Sequence, residues 1–142
     1  MGPSGSVNYD EASFYQNKTM NNKEMNTNPV IDTALAIEQA GGNEELAREL
    51  LGMLLNELPQ LRDMLAQAIQ HSQMDAIWDH AHKIHGSTAY CGVPALRDSF
   101  KALESAIREQ NIEAIARQFK IADLEIERLL TSGHDYLHKP WC

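Results

Sequence analysis

Between Leu46 and Ile69 the apolar side chains fall at three- and four-residue steps: Leu46, Leu50, Met53, Leu54, Leu58, Leu61, Leu65 and Ile69. That spacing puts them on one face of a long helix and nowhere else. The same rule returns in Ile77, Ala81, Ile84 and Thr88, in Leu96, Phe100, Leu103 and Ile107, and in Ile115, Phe119, Ala122, Ile126 and Leu129. No strand-like alternation competes. Four amphipathic helices joined by short connections predict an all-α, antiparallel up-down-up-down four-helix bundle. A short extra helix ending at Ala40, with Leu35 and Ile37, is expected to lie across one end.

The punctuation agrees with this pattern. Asp32, Asn43 and Asp75 are placed to cap helices, because a short oxygen-bearing side chain can accept from the free N–H groups of a first turn. Gly41-Gly42, Gly92 and Gly133 are read as stops, and Pro94 suits the first position of a helix. Pro59 falls inside the long pattern, so a kink near Leu55 to Leu58 is expected rather than two helices. The folded domain is read as 29–131. Residues 1–28, rich in Asn, Ser, Gly and Lys, are expected to be a disordered leader or linker, their first six resembling a cloning scar, and 132–142 a flexible tail.

Bulk properties narrow the function. A formal net charge of −8 argues against nucleic acid, whose phosphates need a basic surface. No run of apolar residues is long enough for a membrane span or a signal peptide, so no membrane contact is expected. The two cysteines, Cys91 and Cys142, make no disulfide framework, which favours a reducing cytoplasm.

The chemistry-bearing stretch is Ala81-His82-Lys83-Ile84-His85-Gly86-Ser87-Thr88. At 100° per residue, His82 lies about 130° from the centre of the core stripe and should face water. Gly86 is one turn on, on the same face. A glycine within a helix costs about 1 kcal/mol against alanine, which has a rationale if something large must approach His82.

Nucleophilic triads need a pocket and an orienting group, and neither Ser87 nor Cys91 carries such a motif. No phosphate-cradling glycine loop precedes a helix, so direct use of ATP is not expected. Asp79, His82 and His85 share spacing with metal ligands, as do His134, His138 and Cys142, but neither set supplies converging ligands with outer support. A neutral imidazole with a free ring nitrogen is a good phosphoryl acceptor. Phosphoryl transfer is largely positioning and charge neutralisation, both of which a partner can bring. An interaction bundle with an incidental surface histidine, and a metal-binding bundle, are the competing readings.

The string His82-Lys83-Ile84-His85-Gly86-Ser87 resembles the His-x-[Ile/Leu]-[Lys/His]-Gly-[Ser/Ala] signature of histidine-containing phosphotransfer (HPt) domains. Ala40-Gly41-Gly42-Asn43-Glu44-Glu45-Leu46 and Gly92-Val93-Pro94-Ala95-Leu96 agree with the surroundings of that signature. With Tyr90-Cys91-Gly92-Val93-Pro94 following, the match is similar to the C-terminal HPt domain of BarA/GacS-type hybrid sensor kinases, over roughly Val30 to Leu130.

The resemblance implies a four-helix bundle that is a phosphocarrier in a His-Asp relay. His82 would accept a phosphoryl group from a receiver-domain aspartyl phosphate and pass it to a response regulator receiver. The chain would be no enzyme by itself and would bind no cofactor, Mg²⁺ belonging to the partner receiver. It implies a monomer, cytoplasmic or the cytoplasmic C-terminal part of an inner-membrane kinase. By the same resemblance Glu104 would hydrogen-bond and orient His82, and Gly86 would be the clearance residue. Ser87 would bond locally. His85 stands where the family often has Lys and would lend modest electrostatic help. Lys83, Asp79 and Trp78 would belong to the phosphate surroundings or the docking surface.

Overall fold

The computed structural model describes residues 27–141. The leader expected over 1–28 therefore lies outside the described residues except for Thr27 and Asn28. Five α-helices follow: α1 Thr33–Gln39, α2 Glu44–Gln70, α3 Met74–Ser87, α4 Pro94–Arg108 and α5 Ile112–Leu137, with a 3₁₀ turn, Thr88–Tyr90, after α3. Among the described residues there is no strand. Helix α2 packs on α3, α3 on α4, α4 on α5, and α5 returns to α2, closing a four-helix bundle. Helix α1 touches α2 and the 3₁₀ turn at one end.

Two of the expected caps form, and Asn111 supplies a third. Asp32 Oδ1 accepts from Leu35 N, Asn43 Oδ1 from Leu46 N, and Asn111 Oδ1 from Ala114 N. Asp75 is not a cap. The turn after α2 closes in fewer residues, with Gln73 N donating to Ala68 O, so Gln73 takes the cap position and Asp75 sits in the first turn. A carboxylate there still faces the positive end of the helix. Helix α2 runs unbroken through Pro59.

The core is formed by Leu51, Leu58, Leu65, Ile77, Ile84, Leu96, Phe100, Leu103, Ile115, Ile126 and Leu129, with at most 1% of each exposed. Two expected core residues are outside it: Leu46 is 39% exposed and Met53 56%. The inward face of α2 begins one position later, at Ala47 and Leu51. A small alanine lets the helices approach closely but carries little weight in a search for large apolar residues.

Gly92 pins α1 to the corner between α3 and α4. Its φ is +64°, and an added Cβ would stand 2.5 Å from Ala36 Cβ and 2.6 Å from Asp32 O. Asp32 N donates to Gly92 O at 2.8 Å, and Gly92 N to Gln39 Oε1 at 2.8 Å.

The expected flexible tail over 132–142 is a correction. Gly133 does not stop α5; a Cβ there would meet Leu55 Cδ2 at 2.6 Å, so its absence lets α5 lie against α2. The helix continues to Leu137, with Tyr136, Leu137 and Trp141 packed on the core. Arg48 holds this end, its Nη1 donating to Tyr136 O and Leu137 O and its Nη2 to Lys139 O. Cationic donors are well matched to the free carbonyls of a helix C-terminus. The ordered unit thus reaches beyond residue 131.

Candidate functional site

Helix α3 buries Ile77, Ala81 and Ile84 completely. That rotation fixes what lies opposite: the His82 side chain is 62% exposed. Gly86, one turn along, is exposed as well, and nothing lies within 4 Å of the position its Cβ would occupy. Among the described residues no contact requires glycine there. The space it leaves opens outward, beside the imidazole.

The ring is held from behind. Glu104 comes from α4, next to the core residue Leu103, and its side chain is only 4% exposed. His82 Nδ1 lies 3.0 Å from Glu104 Oε2. A carboxylate oxygen only accepts, so Nδ1 carries a proton, and in the neutral ring Nε2 then keeps its lone pair. Burying a carboxylate is costly unless donors surround it. Here His85 Nδ1 also donates to Oε2, at 2.9 Å, and Arg108 Nη2 lies 3.5 Å from Oε1.

Trp78 stacks on His82, ring centroids 5.1 Å apart and planes 14° from parallel, and the Arg108 guanidinium sits 5.2 Å from the centre of the Trp78 ring. His82 is therefore fixed in plane by Glu104 and in tilt by Trp78. A cavity of about 470 Å³, lined in part by Thr88, Arg97, Lys101 and Arg108, opens beside His85 and Glu104.

Of the residues singled out from sequence, the fold brings together Trp78, His82, His85 and Glu104, with Gly86 clearing the approach. Ser87 Oγ donates to Lys83 O, a bond within its own helix. Lys83 and Asp79 are exposed side chains that make no ion pair among the described residues. Asp79 is not drawn to His82. Arg108 was missed, although it stands four residues after Glu104, a spacing at which opposite charges meet on a helix. Burial pushes the Cys91 thiol up to about 11, away from the thiolate form, and its Sγ donates to Leu50 O. Among the described residues no group of three or more His, Cys, Asp or Glu is placed to hold a metal ion.

An accessible imidazole, oriented by a buried carboxylate on the flank of a helical bundle, is chemically suited to carry a group for another protein. The comparisons say which family this is. The family model described as "Hpt domain" matches residues 49–132, more than half of the chain, and the chain belongs to that family. Hpt domains are phosphotransfer modules without kinase machinery, and this chain is a phosphocarrier module of a His-Asp phosphorelay.

The chain is 36% identical over 84 residues to the signal transduction histidine-protein kinase BarA of Escherichia coli K12, covering 59% of this chain and 9% of that protein. It is 32% identical over 87 residues to the sensor histidine kinase GacS of Pseudomonas protegens, covering 61% and 10%. The chain thus spans about a tenth of the length of these relatives. The crystal structure of the HPT domain from a Shewanella Hpt sensor hybrid histidine kinase superposes with a TM-score of 0.73 at 25% identity, covering 80% of this chain and 97% of that one. Among the described residues no helix is long and apolar enough to cross a membrane.

Proposed function

We propose that His82 is the phosphoacceptor, with Glu104 as the residue that orients it. The observation that carries this reading is one ring with two environments. Its Nδ1 is tied to a buried carboxylate at 3.0 Å, while the side chain as a whole is 62% exposed.

The His82 Nε2 lone pair attacks the phosphorus of an aspartyl phosphate on a receiver domain. The bond between phosphorus and the aspartyl oxygen breaks, and its electron pair returns to the aspartate as carboxylate. No proton has to leave Nε2. The ring becomes a phosphoimidazolium that keeps its Nδ1 proton, and Glu104 faces the new positive charge. The reverse sequence hands the group to a second receiver. The Mg²⁺ that neutralises the phosphoryl oxygens belongs to the receiver in both steps.

Gly86 gives that partner room. Met53 and Tyr90, 56% and 57% exposed, line a cleft with Ser87 and offer apolar surface for docking. The module acts as a monomer on the cytoplasmic side of a relay and catalyses nothing without its partners.

The test is incubation with a phosphorylated receiver and Mg²⁺, followed by acid and base treatment. His82→Gln is expected to take up no acid-labile, base-stable label while its circular dichroism is unchanged. Label on that variant removes the assignment.

A further inference from the structure

Glu104 Oε2 receives two imidazoles, and only one of them is explained by the reading above. His85 Nδ1, at 2.9 Å, is as close as His82 Nδ1 at 3.0 Å. A carboxylate oxygen has two lone-pair sites, so the pair of donors saturates it. The two histidines differ sharply in setting: the His82 side chain is 62% exposed and the His85 side chain 22%. Water can stand in for the first donor far more easily than for the second.

Glu104 has few other restraints. Arg108 is 63% exposed and its nitrogen lies 3.5 Å from Oε1, beyond the usual range of a strong hydrogen bond. The inward donor that fixes the carboxylate's rotamer is therefore His85.

We infer that His85 is a positioning residue: it locks Glu104 so that Oε2 is presented to His82, and it does so by donating a hydrogen bond rather than by filling space or touching the phosphoryl group. This rests on His82 being the phosphoacceptor. The geometry thus departs from a simple electrostatic role for His85 toward phosphate, since its Nδ1 is committed to the carboxylate.

Two substitutions at one position separate donation from packing. The amide nitrogen of Asn lies near the place of a histidine Nδ1, so His85→Asn keeps the donor and shrinks the side chain. His85→Leu keeps the bulk and deletes the donor. With the full chain, phosphorylated receiver and Mg²⁺, His85→Leu is expected to lower the maximal transfer rate by about tenfold at unchanged KM, and His85→Asn to stay within about threefold of the parent.

Nitrogen NMR supplies a readout that does not depend on transfer: His82 keeps its Nδ1–H tautomer in His85→Asn and becomes a mixture in His85→Leu. His85→Gln, whose amide reaches toward the Nε2 place instead, is expected to behave as Leu does and covers the case in which Leu fails to fold. Parent-like transfer and tautomer in the variants without the donor, or an Asn variant as impaired as Leu, overturns the inference. His82→Gln is run alongside. Label on it defeats the phosphoacceptor assignment, whereas its loss with a parent-like His85→Leu defeats only the role of His85.

Discussion

Replacing Glu104 with alanine perturbs the site at its centre, and the structure sets the size of the effect. On the proposed reading the His82 ring acquires a positive charge when phosphorus reaches Nε2, with Nδ1 3.0 Å from Glu104 Oε2. Coulomb's law at that separation gives about 1.4 kcal/mol in bulk water and about 5.5 kcal/mol at an effective dielectric of 20. His82 is well exposed, so the attraction lies toward the lower figure. Hydrogen bonds to charged groups measure about 1.5–3 kcal/mol, inside the same bracket.

Part of the charge has developed in a loose transition state, and water replaces some of the lost acceptor at an exposed ring. The expected net loss is about 1.4 kcal/mol, or tenfold in rate. Glu104 is buried behind the ring, so it adds little to docking, and the loss should fall on the maximal rate rather than on KM. Glu104→Gln keeps an acceptor oxygen without the charge and should fall between Ala and the parent. The assay is rapid-quench transfer from a labelled phosphoreceiver over a range of receiver concentrations. An alanine variant at the parental rate, or one altered only in KM, would refute the reasoning.

Gly86→Gln should fold normally, because nothing lies within 4 Å of the added Cβ, yet raise KM for the receiver by about tenfold through obstruction; parental KM in a titration would count against the clearance role. Gly92→Ala should lower stability by about 2 kcal/mol or more in urea unfolding, since it combines positive φ with a Cβ 2.5 Å from that of Ala36, and an unshifted midpoint would contradict the close packing of α1. Glu125 carries a pH signature. Burial raises its carboxyl above the ordinary 4.5 despite the nearby Arg128, so its contribution to stability is full below that value and is lost as pH rises through the folded-state value. Glu125→Gln cannot ionise and should gain on the parent as pH climbs through that window, measured by urea midpoints; a difference that is flat or runs the other way would show the sign to be wrong.

The architecture was legible because Leu96, Phe100, Leu103 and Ile107 are large and strictly periodic, and every one is buried. Legibility failed where small residues decide the outcome. Ala47 marks the inward face of α2 and Gly133 admits Leu55 to α5, but neither contributes the apolar bulk on which a periodic reading depends. The C-terminal residues were misread for a related reason. Their order rests on Arg48, nearly 90 residues earlier, whose donors meet carbonyls that no local pattern advertises.

At the site, the angular estimate placed His82 in water, where it stands. Glu104 came from the family resemblance, and the fold puts it beside His82. That one oxygen serves both histidines was not legible, because it depends on the crossing of α3 and α4 rather than on spacing within either. The stack of Trp78 on His82 follows from a four-residue step visible in the chain, although the spacing alone says nothing of ring tilt.

The central claim is that Nδ1 of His82 is held by Glu104 and Nε2 is the nitrogen that carries phosphorus. Phosphorus-coupled NMR of the chain after transfer from a phosphoreceiver tests it directly, because the two ring nitrogens give different coupling patterns to the ring protons. The account predicts a single phosphohistidine, at residue 82, substituted on Nε2 with Nδ1 still protonated. Phosphorus on Nδ1 of that ring, or on any other histidine, would contradict it.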